Sequence, residues 1–576
     1  MGKSKNHYSI KNHFCYCKNI GKVLQKFLTT THRAVHVEKE IDIYMDTNQY
    51  EKELERLGAF EIASKMLKLA KNNENHNSLL NAGRGNPNWI NTQARLAFAR
   101  FIAFGVKESE RTMLEGNLAG YTTLDGIGDR LDDILDLSQN EDAFIKTFID
   151  YAVDVLNIDR DALVKEFTDA IIGNNYPVPS RCLVNIEKII NAYLQDTLYN
   201  GVSLAESTQV FPTEGGTAAI CYIFKSLQKN GLIKKGDRIA VNTPIFTPYL
   251  QIPRLTNYEM VEVALVARED NNWEIPLDAL DVLEDESIKA FFLVNPSNPA
   301  SRALDSRLLK RIKEICEKRR DLIIITDDVY GTFVDGFQTV YAVAPYNTLL
   351  VYSYSKLYGT TGWRVGCIAM NKQNVFDDLI ARLPEEKLKA LDKDYSIVTL
   401  EPRSFPFIER LTADSRSIGL YHTSGLSTPQ QAMMALFSLT HLVCHNGDDY
   451  IESTKKIVAR RYHNLFEGLG LKEDNTCENA KYYALINIYN LAERLYGKDL
   501  ETYIRENFEE IDFLLKLAKE DGVVIMEGVG FDATKGTLRV SHANLPDDAY
   551  PKISRRIKAL LKDYNDKMKS SLKDGD

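Results

Sequence analysis

Lys356 closes the run Tyr352-Ser353-Tyr354-Ser355-Lys356, and Arg364 follows eight residues later, past Gly359 and Gly362. The residues leading in, Thr348–Tyr352, are apolar and partly β-branched, which predicts a buried strand. A lysine delivered to the end of such a strand, with two hydroxyls and a second cation close by, suits a Schiff base to an aldehyde cofactor that carries a phosphate. The lysine would hold the aldehyde. Ser353, Ser355 and Arg364 would hold the phosphate, the arginine through a forked, charge-assisted contact. A surface loop with a solvated lysine would leave the hydroxyls and glycines without a purpose.

Other chemistry-bearing residues recur at comparable places. Gly215-Gly216-Thr217 opens a predicted helix, Ala218–Leu227, where free backbone N–H groups and the helix dipole would cradle an anion. Phe246 follows a predicted strand at Asp237–Asn242. Asn298 follows one at Ala290–Val294, and Asp327 and Tyr330 follow one at Leu322–Thr326. Arg539 lies on a short strand in Leu538-Arg539-Val540-Ser541-His542-Ala543. Strand ends and helix starts are where open parallel sheets bind ligands.

These motifs, in this order, resemble the pyridoxal-phosphate aminotransferases of fold type I. The shared patterns are Gly-Thr, Asn-Pro-x-x, Asp-x-x-Tyr, and Ser-x-Ser-Lys followed by Arg-x-Gly. The resemblance implies that Lys356 is the Schiff-base lysine, and that Gly215, Gly216, Thr217, Ser353, Ser355 and Arg364 form the phosphate cup. It implies that Phe246 stacks on the cofactor ring, that Asn298 and Tyr330 meet the ring hydroxyl, and that Asp327 pairs with the ring nitrogen. A carboxylate there keeps the ring protonated and able to accept electrons. Asp328 is read as a helix cap or surface residue. By the same resemblance Arg539 grips the substrate α-carboxylate. The loop Asn81-Ala82-Gly83-Arg84-Gly85-Asn86-Pro87 lies over the substrate, with Arg84 and Gly85 in reach of it. Tyr121, in Gly120-Tyr121, goes to the phosphate of a neighbouring subunit. The fold implied is α/β. A large domain holds a mixed, mostly parallel seven-stranded sheet between helices, and a smaller α+β domain is built from both chain ends.

The chain of 576 residues is ample for such an architecture. Hydrophobic content of 44% and charged content of 26% are ordinary for a globular protein. A net charge of -9 implies no general attraction to nucleic acid or anionic membrane. Eight cysteines in this length are too sparse for a disulfide framework, so a reducing, cytoplasmic setting is expected. The first forty residues hold eight Lys and Arg against two Glu. They read as a disordered basic arm, with organelle targeting as the alternative. Cys15, Cys17, His32 and His36 lie in it, but their spacing is too tight for a zinc finger, and no metal site is expected. His441, Cys444 and His445 read as core or interface residues on a late helix.

The expected organisation is a basic extension over 1–45, helices and the substrate loop over 46–100, and the large domain over 101–448. A linking helix and the small domain follow over 449–576. Apolar spacing predicts helices at 131–137, 144–156, 163–172 and 186–198, which together form an insertion at about 130–200. That insertion, the loop Asn81–Asn88 and Asn175-Tyr176-Pro177-Val178-Pro179 resemble the aspartate-decarboxylating branch of the family. The resemblance implies β-decarboxylation of L-aspartate to L-alanine and CO2, with side transamination to oxaloacetate and 2-oxo acids as co-substrates. It implies a homodimer at least, within a larger homo-oligomer. A plain aspartate or aromatic aminotransferase is the first alternative, and a catalytically silent binding relative the second.

Overall fold

Runs such as Phe291-Phe292-Leu293-Val294 and Ile323-Ile324-Ile325 have no polar face to turn to water, so they enter a sheet covered on both sides. The computed structural model describes residues 59–116, 120–255, 261–422, 425–444, 449–508 and 510–574. Its strands, in chain order, are β1 Leu80–Asn81, β2 Thr208–Thr213, β3 Arg238–Thr243, β4 Val261–Val266, β5 Ile288–Val294, β6 Ile323–Asp327, β7 Thr348–Ser353, β8 Gly366–Asn371, β9 Tyr483–Asn487, β10 Val523–Val524, β11 Met526–Glu527 and β12 Thr537–Ser541.

Seven of these form one sheet in the order β2-β8-β7-β6-β5-β3-β4. Only β8 runs antiparallel to its neighbours. Strands β6, β7 and β8 are buried along their whole length. The chain positions of β3, β5, β6 and β7 match the predicted strands within a residue or two. Strands β1, β2, β4, β8, β9, β10 and β11 carried no sequence prediction. β4 is an edge strand whose valines at 261 and 266 are exposed, and β8, Gly366–Asn371, is poor in β-branched residues.

The predicted helical insertion consists of Ile127–Asp132, Asn140–Asp154, Arg160–Ile172 and Val184–Leu198. It packs with Gln93–Arg111 and Thr428–Leu442. Phe101, Phe148 and Phe167 meet there with ring centroids 5.6–6.1 Å apart. His441 lies in the last turn of Thr428–Leu442 and pairs with Asp196 at 2.6 Å. Cys444 falls beyond the end of that helix rather than on it. The N–H groups of Gly126 and Gly128 donate to the Asp161 carboxylate, which ties the start of Ile127–Asp132 to Arg160–Ile172.

A second, smaller layer draws on both ends of the chain. Strands β11, β12 and β9 form an antiparallel sheet, and β1 pairs in parallel with β10. The helix Ala59–Lys71 packs on Glu510–Lys519, and the long helices Asp449–Leu469 and Ala549–Asp574 pack on each other. The basic arm, with Cys15, Cys17, His32 and His36, lies outside the described residues, as does His445.

Candidate active site

Strand β7 delivers Ser353 at its end, and the chain then turns through Lys356 to Gly359. Gly359 has φ +59, and a Cβ there would stand 1.8 Å from the Trp89 carbonyl, so the close approach of loop 82–89 demands glycine. The Trp89 indole N–H donates to the Leu357 carbonyl at 2.8 Å, and Arg95 donates to the Gly359 carbonyl at 2.9 Å. The lysine turn is thereby fixed from outside the sheet. Lys356 Nζ donates to the Gly85 carbonyl at 3.0 Å and points into a cavity of about 230 Å³.

At one end of that cavity lie Gly216, Thr217, Ser353, Ser355 and Arg364. The Ser353 hydroxyl is 2.9 Å from that of Ser355. Arg364 donates to the Thr361 carbonyl at 2.8 Å and the Glu214 carbonyl at 3.3 Å, and pairs with no carboxylate among the described residues. Gly215 has φ +88, and a Cβ there would stand 2.6 Å from Arg364 Nη2, so position 215 must be bare for the arginine to reach across. The helix Gly216–Lys229 starts here without a side-chain cap, so its first N–H groups have no partner within the helix.

Asp327 ends β6 on the cavity floor, 4% exposed. The Tyr249 hydroxyl donates to its Oδ2 at 2.6 Å and the Val329 N–H to its Oδ1 at 3.3 Å. Burial pushes its carboxyl up to about 6, although both donors and the Lys356 ammonium favour the carboxylate. Asp328 is also fully buried, which corrects its reading as a cap or surface residue. Its backbone N–H joins the Val351 carbonyl, so strand pairing continues one residue past β6 and buries the side chain on the sheet face opposite Asp327. There the Thr326 hydroxyl donates to it, and burial pushes it up to about 8.

The far end is built by the smaller layer. Arg539 on β12 is 1% exposed. It donates to Asn298 Oδ1 at 3.1 Å and to the Gly83 carbonyl at 2.6 Å, and its guanidinium lies 4.4 Å from the Tyr483 ring centre. Its Nε has no acceptor, and no carboxylate pairs with it, among the described residues. Asn298 Nδ2 approaches the Tyr330 hydroxyl at 3.4 Å, which lies 3.0 Å from that of Tyr483. Phe246 lines the cavity edge-on to Tyr249, with centroids 5.1 Å apart.

Two sequence-predicted residues stand elsewhere. Arg84 is exposed and does not line the cavity. The extended loop turns successive residues in opposite directions, so Gly85 faces inward and Arg84 outward. Tyr121 is 61% exposed and bonds through its backbone to Thr112, away from this chain's cavity. Sequence reasoning missed Tyr249, Thr361 and Tyr483. Tyr249 sits one turn after Phe246 in the helix Thr247–Leu255, a spacing that carried the signal. Tyr483 follows another tyrosine, so nothing local said which of the two faces inward.

The cavity fits pyridoxal phosphate on its own donors. Arg364, which pairs with no carboxylate among the described residues, two hydroxyls and a helix start suit a phosphate. A methyl at 216 would stand in ordinary contact, 3.8 Å from Asp327 Oδ2 and from Ser353 Cβ, and so fill space above the floor that glycine leaves to a ligand. A buried carboxyl on that floor suits a pyridine nitrogen.

A family model described as aminotransferase class I and II matches residues 162–557. A Pseudomonas protein named bifunctional aspartate aminotransferase and L-aspartate beta-decarboxylase is 41% identical over 522 residues, 90% of this chain and 98% of its own length. An aspartate aminotransferase of Pyrococcus horikoshii is 26% identical over 62% of this chain and 76% of its own. Among solved structures, a Thermus thermophilus aspartate aminotransferase mutant superposes with a TM-score of 0.57 at 16% identity, covering 87% of this chain and 96% of that one.

Proposed function

We propose, because the chain belongs to the class I and II aminotransferase family, that it is a pyridoxal-phosphate enzyme removing the β-carboxylate of L-aspartate to give L-alanine and CO2, with side transamination to oxaloacetate. The Pseudomonas relative bears both activities in its name, and this chain spans nearly all of its length. The observation that carries the reading is Arg539. It is a buried guanidinium held only by neutral groups, with a donor to spare, and this is a receptor for a small carboxylate.

Bound in the cavity, pyridoxal phosphate supplies an electron sink for bonds broken at the substrate's carbons. Arg364, Ser353, Ser355 and the N–H groups of Gly216 and Thr217 would hold its phosphate. Asp327 would pair as a carboxylate with the ring nitrogen and keep it protonated. Asn298 and Tyr330 would serve the ring hydroxyl, and Phe246 would pack on the ring. Arg539 fixes the α-carboxylate, and Lys356, once its amine is free, takes the proton from the α-carbon. A firm hold on the α-carboxylate and a weaker one on the carboxylate that leaves favours decarboxylation, since a strong partner there would stabilise the anion to be lost.

The working form is a homodimer or larger. Leu96, Ala99, Ile102, Ala103 and Val106 stand exposed along one side of the helix Gln93–Arg111, with Tyr121 near its end. An apolar stripe of this kind suits a subunit contact that would bring Tyr121 toward a neighbour's cavity.

Feeding L-aspartate to the cofactor-loaded enzyme and quantifying alanine, CO2 and oxaloacetate tests the reading. Alanine and CO2 in equal amounts are expected. Oxaloacetate without alanine would leave a plain aminotransferase.

A further inference from the structure

Tyr483 opens β9, is 2% exposed, and lines the cavity between Lys356 and Arg539. Gly85 is shaped around it, because a Cβ at 85 would stand 1.9 Å from the Tyr483 hydroxyl. The ring is rigidly held. Its backbone N–H donates to Ser301 Oγ at 2.8 Å, and its strand pairs it with Ser541. The Arg539 guanidinium covers one face at 4.4 Å. The hydroxyl has the Tyr330 hydroxyl at 3.0 Å and the Lys356 ammonium beside it. A substrate that reaches from Lys356 to Arg539 must pass this phenol.

We propose that Tyr483 is a catalytic acid, delivering the proton that replaces the departing carboxylate on the substrate's β-carbon. This rests on the decarboxylase reading above and assigns a residue to the step that separates it from transamination. The bond between the β-carbon and the carboxylate breaks, CO2 leaves, and its electron pair stays with the substrate. That pair forms a C–H bond with the Tyr483 proton, while the phenol oxygen keeps the O–H pair. Water or the Lys356 ammonium then returns a proton to the oxygen. The titratable groups facing the phenol are Lys356, Arg539 and Tyr330, with the Tyr482 ring 5.0 Å from its own. Burial alone would make it a poorer acid, but the two cations outweigh burial and hold it below the usual tyrosine range. It therefore gives up its proton more readily than an ordinary buried tyrosine.

The test measures both products from L-aspartate with the loaded enzyme. Tyr483→Phe should lower alanine formation about 100-fold, within the range of a lost general acid, and oxaloacetate formation by less than about tenfold. The visible band of the bound cofactor should also titrate at a different pH in this variant, because the phenol stands beside the lysine. With 3-fluorotyrosine placed at position 483, an isosteric and more acidic phenol, the alkaline limb of alanine formation should move to lower pH. Equal losses of both products, or a limb that stays in place with the fluorinated residue, would overturn the assignment. Alanine absent from the unmodified enzyme would sink the function itself and this role with it. Alanine present, with an unchanged product ratio in Tyr483→Phe, would sink only the role of Tyr483.

Discussion

At one end of the cavity Arg364 stands exposed on a loop, at φ +56, resting on two backbone carbonyls. At the other end Arg539 is buried on a strand, wedged between the Tyr483 and Phe531 rings and held by Asn298 and the Gly83 carbonyl. The exposed cation keeps its water and is worth little until an anion of high charge arrives. The buried one has already lost its water, and burial pulls its pKa below the usual guanidinium value. The fold absorbs that cost in advance, so a carboxylate reaching Arg539 meets a donor set that need not reorganise. One end is suited to retain a cofactor and the other to select a substrate.

The largest effect belongs to the residue between the two ends. Lys356→Ala should abolish the visible band of the bound cofactor and lower both product rates by at least about 10^4-fold. Activity within tenfold of the unmodified enzyme would show that neither end serves this lysine. Next, Arg539→Lys should sharpen the contrast. Loss of the fork removes one charged hydrogen bond worth roughly 1.5–3 kcal/mol, raising KM for aspartate about 10- to 150-fold. Cofactor affinity, measured by absorbance titration, should change by less than about threefold. Arg364→Ala should do the reverse, weakening cofactor binding about tenfold, with activity restored by excess pyridoxal phosphate. If Arg364→Ala instead raised KM for aspartate and left cofactor affinity unchanged, the division of labour would be wrong.

The smallest effect concerns the two adjacent buried acids at the end of β6. Burial raises Asp327 to about 6 and Asp328 to about 8. Each binds its proton more tightly folded than unfolded. Their stabilising contribution is therefore full below the ordinary carboxylate pKa and is lost as pH rises through about 6 and then about 8. A protonated ring nitrogen against Asp327 would relieve part of that loss. The gain in Tm on adding cofactor should be larger by a few degrees at pH 8 than at pH 5.5, as read by thermal melts. An equal gain at both values would place the ring nitrogen away from Asp327.

Most of the sheet was legible because β3, β5, β6 and β7 are apolar runs bounded by Gly, Pro and Asn, and burial on both faces removes any competing pattern. The residues at their ends were legible for the same reason. Asp328 was misjudged because adjacent carboxylates look alike until pairing with Val351 shows the strand continuing, which buries Asp328 on the sheet face opposite Asp327. Arg84 was placed over the substrate because a flexible-looking loop hides which of two neighbours faces in. Ser541 N–H on the Ala82 carbonyl and Asn88 N–H on the Ala543 carbonyl pin that loop and settle the matter for Gly85.

By itself the order of residues determined the four central strands β3, β5, β6 and β7, the lysine turn, and the identity of the groups at the cofactor end. Those depend on contacts between near neighbours in sequence, where apolar patterning and turn chemistry act directly. Only the tertiary structure decided how the substrate end is assembled, adding Tyr483 and turning Gly85 rather than Arg84 toward it. Gly85, Asn298, Tyr483 and Arg539 come from four distant stretches, and they meet because β12 pairs with β9 and loop 82–89 is pinned to the end of β12. Spacing along a chain records nothing of such long-range pairing, whose register is set by packing across the whole molecule.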